Sequence, residues 1–216
     1  MVKPRSQDPI DGNAEQRILD AASAVFLRRG TAGARMQEIA DEAGVNKALL
    51  HYYFRSKNRL AEAVFQRVAV RLLPPVLAVL ASDAEIEDKV RRVIAIELEE
   101  LTKMPIAPGY VLSELNQHPD RAKQFIKAMT GLAVEGVAPA MRDVLDAQIK
   151  ARVKAGVMRP IAAEQFIINL ISLCVFPFVA RPMLAAAFGM DERGFQRFID
   201  QRKTDLPVFF LNALRP

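Results

Sequence analysis

The stretch Met36-Gln37-Glu38-Ile39-Ala40-Asp41-Glu42-Ala43-Gly44-Val45-Asn46-Lys47-Ala48-Leu49-Leu50-His51-Tyr52-Tyr53-Phe54-Arg55-Ser56-Lys57-Asn58-Arg59-Leu60 decides the fold of this 216-residue chain. Met36, Ile39, Ala40 and Ala43 share one side of a helix expected over about 35–43. Gly44 follows where a sharp turn can use positive φ. Asn46 is a good N-cap for a second helix, Lys47 to Phe54, and Ser56 can cap another that begins at Lys57. On the second helix Leu50 and Phe54 lie four apart and face inward, while Lys47 with His51 and Ala48 with Tyr52 form i, i+4 pairs on its other sides. Ala40 and Gly44 are the close-approach positions of a helix-turn-helix, with Val45 packing behind the turn.

Charge points the same way. From 43 to 61 there is no acidic residue, whereas Lys47, Arg55, Lys57 and Arg59 supply four positive charges, nearly the whole net charge of +5. His51, Tyr52 and Tyr53 interleave with them. Ammonium, guanidinium and backbone N–H groups at the start of a helix suit phosphate oxygens.

Outward from this segment the chain is expected to be all-α. A loose arm is expected over 1–13, and then a helix from about Ala14 to Arg29 with Ile18, Leu19, Ala22, Val25 and Phe26 as its apolar stripe, stopped by Gly30. Leu60, Val64, Phe65, Val68 and Leu72 continue helical spacing until Pro74-Pro75 breaks it. Ser82-Asp83-Ala84-Glu85 has capping-box spacing and opens a helix to about Lys103. A loop at Pro105 and Pro108 and a short helix to Gln117 follow. Two helices with a break near 136 are expected over 120–155, then one over 163–188 kinked at Pro177 or Pro182, and a last amphipathic region, 191–214, interrupted near Pro207. The count is nine or ten helices.

Other counts exclude whole classes. Hydrophobic residues make up 51% and charged residues 25% of the chain, a mixture that buries a core and argues against wholesale disorder. The single Cys174 forms no intramolecular disulfide, and two histidines with one thiol are too few for a zinc site without carboxylates. No metal and no cofactor are expected. His118, before Pro119, reads as a surface or capping residue, and Cys174 as a buried free thiol. Met1 to Asp8 contains no apolar h-region, so a cytoplasmic chain is expected. The apolar stretch 166–180 is shorter than the roughly 20 residues of a membrane span, so it reads as a buried helix and no membrane partner is expected. An enzyme would need a nucleophile with its base, or a phosphate-cradling loop, and neither is apparent.

The quoted segment resembles the DNA-binding domain of the TetR family of bacterial transcriptional regulators. The likeness covers about residues 14–65 and rests on Ile39-Ala40 and Ala43-Gly44-Val45, the short second helix ending in an aromatic cluster with Phe54, and the Ser56-Lys57 start of the next. It implies a three-helix head over 14–60, joined by a fourth helix to a helical effector-binding and dimerisation domain over 61–216. Carried onto this chain, the base-reading positions are Lys47, Ala48 and Tyr52, and the backbone-clamping positions are Arg35, Asn46, His51, Tyr53 and Lys57. Two departures stand out. Ala34-Arg35 replaces the usual Thr or Ser that opens helix two, and Leu50-His51 replaces the common Leu-Tyr.

The resemblance further implies an effector pocket between the middle helices and the penultimate one. The residues offered there are Leu101, Met104, Phe125, Met129, Phe166, Leu173 and Phe176, with Glu97, Tyr110, Glu114 and Asn169 as polar contacts. Plain core is the competing reading of this set. One motif per chain requires a second copy to bind an inverted-repeat operator in double-stranded DNA. The apolar C-terminal helices, with Phe178, Phe195, Phe198 and Phe209, are the expected homodimer interface. The function expected is a repressor released from its operator by a small, mainly hydrophobic effector. An effector-independent regulator or activator with the same motif is the alternative.

Overall fold

The apolar periodicities of the chain close into helices throughout the computed structural model, which describes residues 9–72, 74–120 and 134–216 and the side chains of all of these except 9–12 and 134–140. Eleven helices are present among the described residues, and no strand. They are α1 (Pro9–Gly33), α2 (Met36–Ala43), α3 (Lys47–Phe54), α4 (Lys57–Leu72), α5 (Pro74–Ala81), α6 (Ile86–Lys103), α7 (Ala107–Gln117), α8 (Val134–Lys154), α9 (Ala163–Val179), α10 (Arg181–Phe188) and α11 (Glu192–Ala213). The chain divides into two compact units, one of 1–68 with 110–119 and one of 69–109 with 120–216. The division expected after residue 60 falls inside α4, since the apolar row Leu60, Val64, Phe65 and Val68 runs on, all of it buried.

In the first unit α1 begins at Pro9, within the stretch expected as a loose arm. Proline suits a first helical turn, because its missing N–H would have no partner there. Gly30, at φ 68° and ψ 164°, breaks α1 after Arg29, and one further turn reaches Gly33. Ile18, Ala22, Val25 and Phe26 of α1 are buried, as are Ile39 and Ala40 of α2 and Leu50 of α3. Arg28 pairs with Glu42 and Arg29 with Glu38, both at 3.0 Å, so two ion pairs bind α1 to α2 across the rim of this core.

The second unit is built around α6, whose Val90, Val93, Ile94, Leu98 and Leu101 are buried. Helices α5, α9 and α11 pack against it, and α8 packs on α5 and α9. A fully buried ammonium ties the start of α6 to α8. Lys89 Nζ donates to the Leu80 carbonyl and to Gln148 Oε1, each at 2.8 Å, and Gln148 Nε2 donates to the Ala84 carbonyl at 3.0 Å. Burial holds the Lys89 amine below its ordinary value.

Four local expectations differ here. Ser82 does not cap α6: its hydroxyl donates to the Val79 carbonyl at 2.7 Å, and Glu85, in the N-cap place, ion-pairs with Arg152 at 2.7 Å. Helix α8 runs unbroken through Gly136 and Pro139, while 121–133 lie outside the described residues. The kink expected at Pro177 or Pro182 falls between them, where α9 and α10 meet at 66° with Pro182 in the first turn of α10. Helix α11 is continuous through Pro207. The ring's fixed φ is helical, so the loss there is one hydrogen bond, and Leu206 and Phe210 are buried on either side.

Candidate nucleic-acid interface

The first unit presents the site. Gly44 closes α2 in the left-handed region at φ 63°, ψ 37°, where an L side chain is strained. The Val45 N–H then donates to the Ala40 carbonyl at 3.0 Å. Two residues later Asn46 stands extended, and its Oδ1 accepts from the Leu49 N–H at 2.8 Å, opening α3. This fixes the roll of α3. Leu50 and Phe54 point into the core, while Lys47, Ala48, His51 and Tyr52 are exposed, Tyr52 by 72%.

Tyr53 is half-buried, its ring edge-on to Tyr52 at 5.3 Å. Arg35 precedes α2 with an extended backbone, exposed and making no cap. Lys57 opens α4, but its ammonium donates to the Ala32 and Ala34 carbonyls, both at 3.2 Å. The cation expected as a phosphate clamp thus spends two of its three donors on fastening the end of α1. The two glutamates of α2 are paired with Arg28 and Arg29.

Arg55, counted in the sequence among the positive charges but given no contact of its own, alone among the described non-glycine residues has positive φ, 46°. Its charge was visible, but nothing in the residue type marks the conformation.

Of the residues expected to line a pocket, the described ones fall in different places. Glu97, Leu101 and Phe166 are buried in the core of the second unit, with Phe166 edge-on to Phe210 at 5.3 Å. Burial pushes the Glu97 carboxyl up to about 7. Cys174, also buried, has its thiol pushed up by burial and then by Glu97. Met104 is half-buried at the end of α6. Tyr110 and Glu114 are buried members of the first unit, and Phe125 and Met129 lie outside the described residues. Asn169, Leu173 and Phe176 do share a depression of about 420 Å³, with Arg159, Arg202 and Phe209 on its walls.

The expected dimer residues divide likewise. Phe178 and Phe195 are already buried within one chain, their rings 5.6 Å apart, because α9 and α11 turn these faces to their own core. Phe198 is half-buried and Phe209 is 62% exposed.

An exposed short helix, entered through a left-handed glycine turn and an asparagine cap and braced by two further helices, defines a helix-turn-helix head of the DNA-binding class. Residues 18–64 match the family described as bacterial regulatory proteins, tetR family. The transcriptional activator FasR of Mycolicibacterium smegmatis is 40% identical over 78 residues, 36% of this chain and 36% of its own length. The match therefore spans about a third of that relative. The transcriptional regulator RutR of Escherichia coli is 27% identical over 202 residues, 94% of this chain and 91% of its own. The fold is shared with the putative transcriptional regulator SCO4942 from Streptomyces coelicolor, at a TM-score of 0.62 and 20% identity, covering 94% of this chain and 99% of that one. Residues 18–64 therefore form a DNA-binding domain of the tetR type, and the relatives that match the chain are transcriptional regulators.

Proposed function

We propose that the chain is a cytoplasmic homodimeric repressor that binds an inverted-repeat operator and is released from it by a small, mainly hydrophobic effector. The observation that carries the DNA-binding half is the exposed row Lys47, Ala48, His51 and Tyr52 on a helix whose opposite side is locked into the core. In this reading Lys47 donates to base edges, Ala48 allows close approach or meets a thymine methyl, and Tyr52 reads alongside them. Arg35, Asn46, His51 and Tyr53 hold the DNA backbone, and Lys57, with two donors on the Ala32 and Ala34 carbonyls, adds only its remaining donor.

One recognition helix per chain supports a dimer, since half-sites about one turn of DNA apart need two. The seam is assigned to the exposed apolar side chains of α9 and α11, namely Ile168, Phe176, Val179, Val208 and Phe209. The effector is assigned to the second unit, where Glu97 is a buried carboxyl awaiting a donor. Release requires the effector to bind the DNA-incompetent arrangement more tightly, because equal affinity shifts nothing. Helix α4, which begins in one unit and ends in the other, is the covalent route. An activator using the same head is the second reading, favoured by the likeness to FasR, itself named an activator.

Titrating the chain's own upstream DNA in a gel shift or by fluorescence anisotropy tests this. Binding tighter than to random DNA, at a stoichiometry of two 24.0 kDa chains per site, is expected. Equal affinity for both at moderate salt would overturn it.

A further inference from the structure

Arg55 joins α3 to α4 at φ 46° and ψ −37°. Its N–H donates to the His51 carbonyl at 2.9 Å and ends α3, and the following N–H, of Ser56, turns back onto the Phe54 carbonyl. A bond from residue i+2 to residue i around a central positive φ is the rare, strained form of γ-turn. Glycine adopts this conformation without steric cost. His51 Nδ1 lies 3.3 Å from the Arg55 carbonyl and helps to hold the turn.

An arginine where glycine fits calls for a use of its side chain, and the described residues supply none. The Arg55 side chain is exposed and meets no carboxylate among the described residues. Arg28, Arg29 and Arg67 of the same unit are each paired with an acid. Lys57, two residues on, is committed to the Ala32 and Ala34 carbonyls. At the junction that follows the recognition helix, Arg55 is therefore a cation with its donors open to an anion from outside.

We propose that Arg55 binds a DNA phosphate at the end of α3, and that Lys57 serves chiefly to fasten the α1–α2 turn to α4. This rests on the DNA-binding reading of α3 and adds a contact that the family's pattern does not place. The strained turn aims the guanidinium, and Lys57 holds the platform from which it reaches.

The test uses the full chain, a short fluorescent duplex of random sequence, and a series of potassium chloride concentrations. Arg55→Gly and Arg55→Ala should each weaken binding roughly five- to tenfold per bound chain near 0.1 M salt and lower the slope of log affinity against log salt by about 0.9 per chain, the loss of one phosphate contact from each. Arg55→Lys should keep the slope. Arg55→Gly should melt no lower than wild type while binding worse, opposite movements that a purely structural residue does not give. Lys57→Met should lower Tm and leave most of the slope. An Arg55→Gly slope equal to wild type would overturn the assignment of Arg55, and a Lys57→Met slope reduced by about 0.9 per chain at unchanged Tm would overturn that of Lys57. Wild type that shows no salt-dependent binding to any duplex would overturn the DNA-binding reading itself, so the two failures are distinguishable.

Discussion

Replacing Glu97 by Gln should stabilise the protein on the alkaline side of neutrality and leave it nearly unchanged in acid. Glu97 is 5% exposed on α6, on the same helix as the buried Val93, Ile94, Leu98 and Leu101. Among the described residues no hydrogen bond or ion pair reaches its carboxylate, and burial pushes the group from 4.5 up to about 7. The folded chain therefore keeps a proton through a window in which the unfolded chain has lost it. Stability falls as pH rises from near 4.5 to near 7, and stays at the lower level above that. At about 1.4 kcal/mol per pH unit the window is worth about 3 kcal/mol, an upper figure because the surroundings relax around a charge. Glutamine removes the titration and keeps the shape. Urea unfolding followed by circular dichroism, at one fixed protein concentration, should then show wild type losing stability between near pH 4.5 and near pH 7 while Glu97→Gln stays level. Parallel pH profiles for the two proteins would refute the reasoning, as would a variant destabilised equally at every pH. The same buried carboxyl gives the effector hypothesis a signature. A ligand that brings a cation to Glu97 favours its ionised form, so its binding should release a proton near pH 6 and strengthen as pH rises toward 7.

Two further perturbations separate the head from the body. Asn46→Ala removes the acceptor for the Leu49 N–H and should cost about 1 kcal/mol of stability, read as a lower urea midpoint, with a larger loss in DNA affinity because the start of α3 carries Lys47. In the body, Phe166→Ala empties a buried site and should cost about 3–5 kcal/mol in unfolding. Phe209→Asp, on an exposed face, should shift the mass measured by light scattering from two chains to one. Unchanged dimer mass in Phe209→Asp would remove α11 from the proposed seam.

The head was readable because its constraints are local. A glycine after the last turn of one helix, an asparagine two residues on, and apolar residues four apart each require a conformation within a few positions, and together they leave one arrangement. Gly44, Asn46, Leu50 and Phe54 sit where that reading puts them. The body was less readable because helical spacing marks a face as apolar without naming what covers it. On α9 the row Phe166, Leu170, Cys174 and Phe178, spaced by four, goes to the chain's own core, and Ile168, Phe176 and Val179 are left outside. Both rows are equally apolar in sequence, which is why Phe178 was assigned to the seam with Phe195, its buried partner. Polar groups misled for a related reason. Ser82 and Lys57 are each satisfied by a backbone carbonyl, and a carbonyl leaves no mark in the sequence; those that hold Lys57 lie 23 and 25 residues away. A count of positive charges therefore overstates what a helix-turn-helix offers to DNA. The quantity that sets the salt dependence is the number of cations whose donors remain open. At the junction of α3 and α4 that number excludes most of Lys57 and includes Arg55, the residue to which the backbone concedes a strained turn.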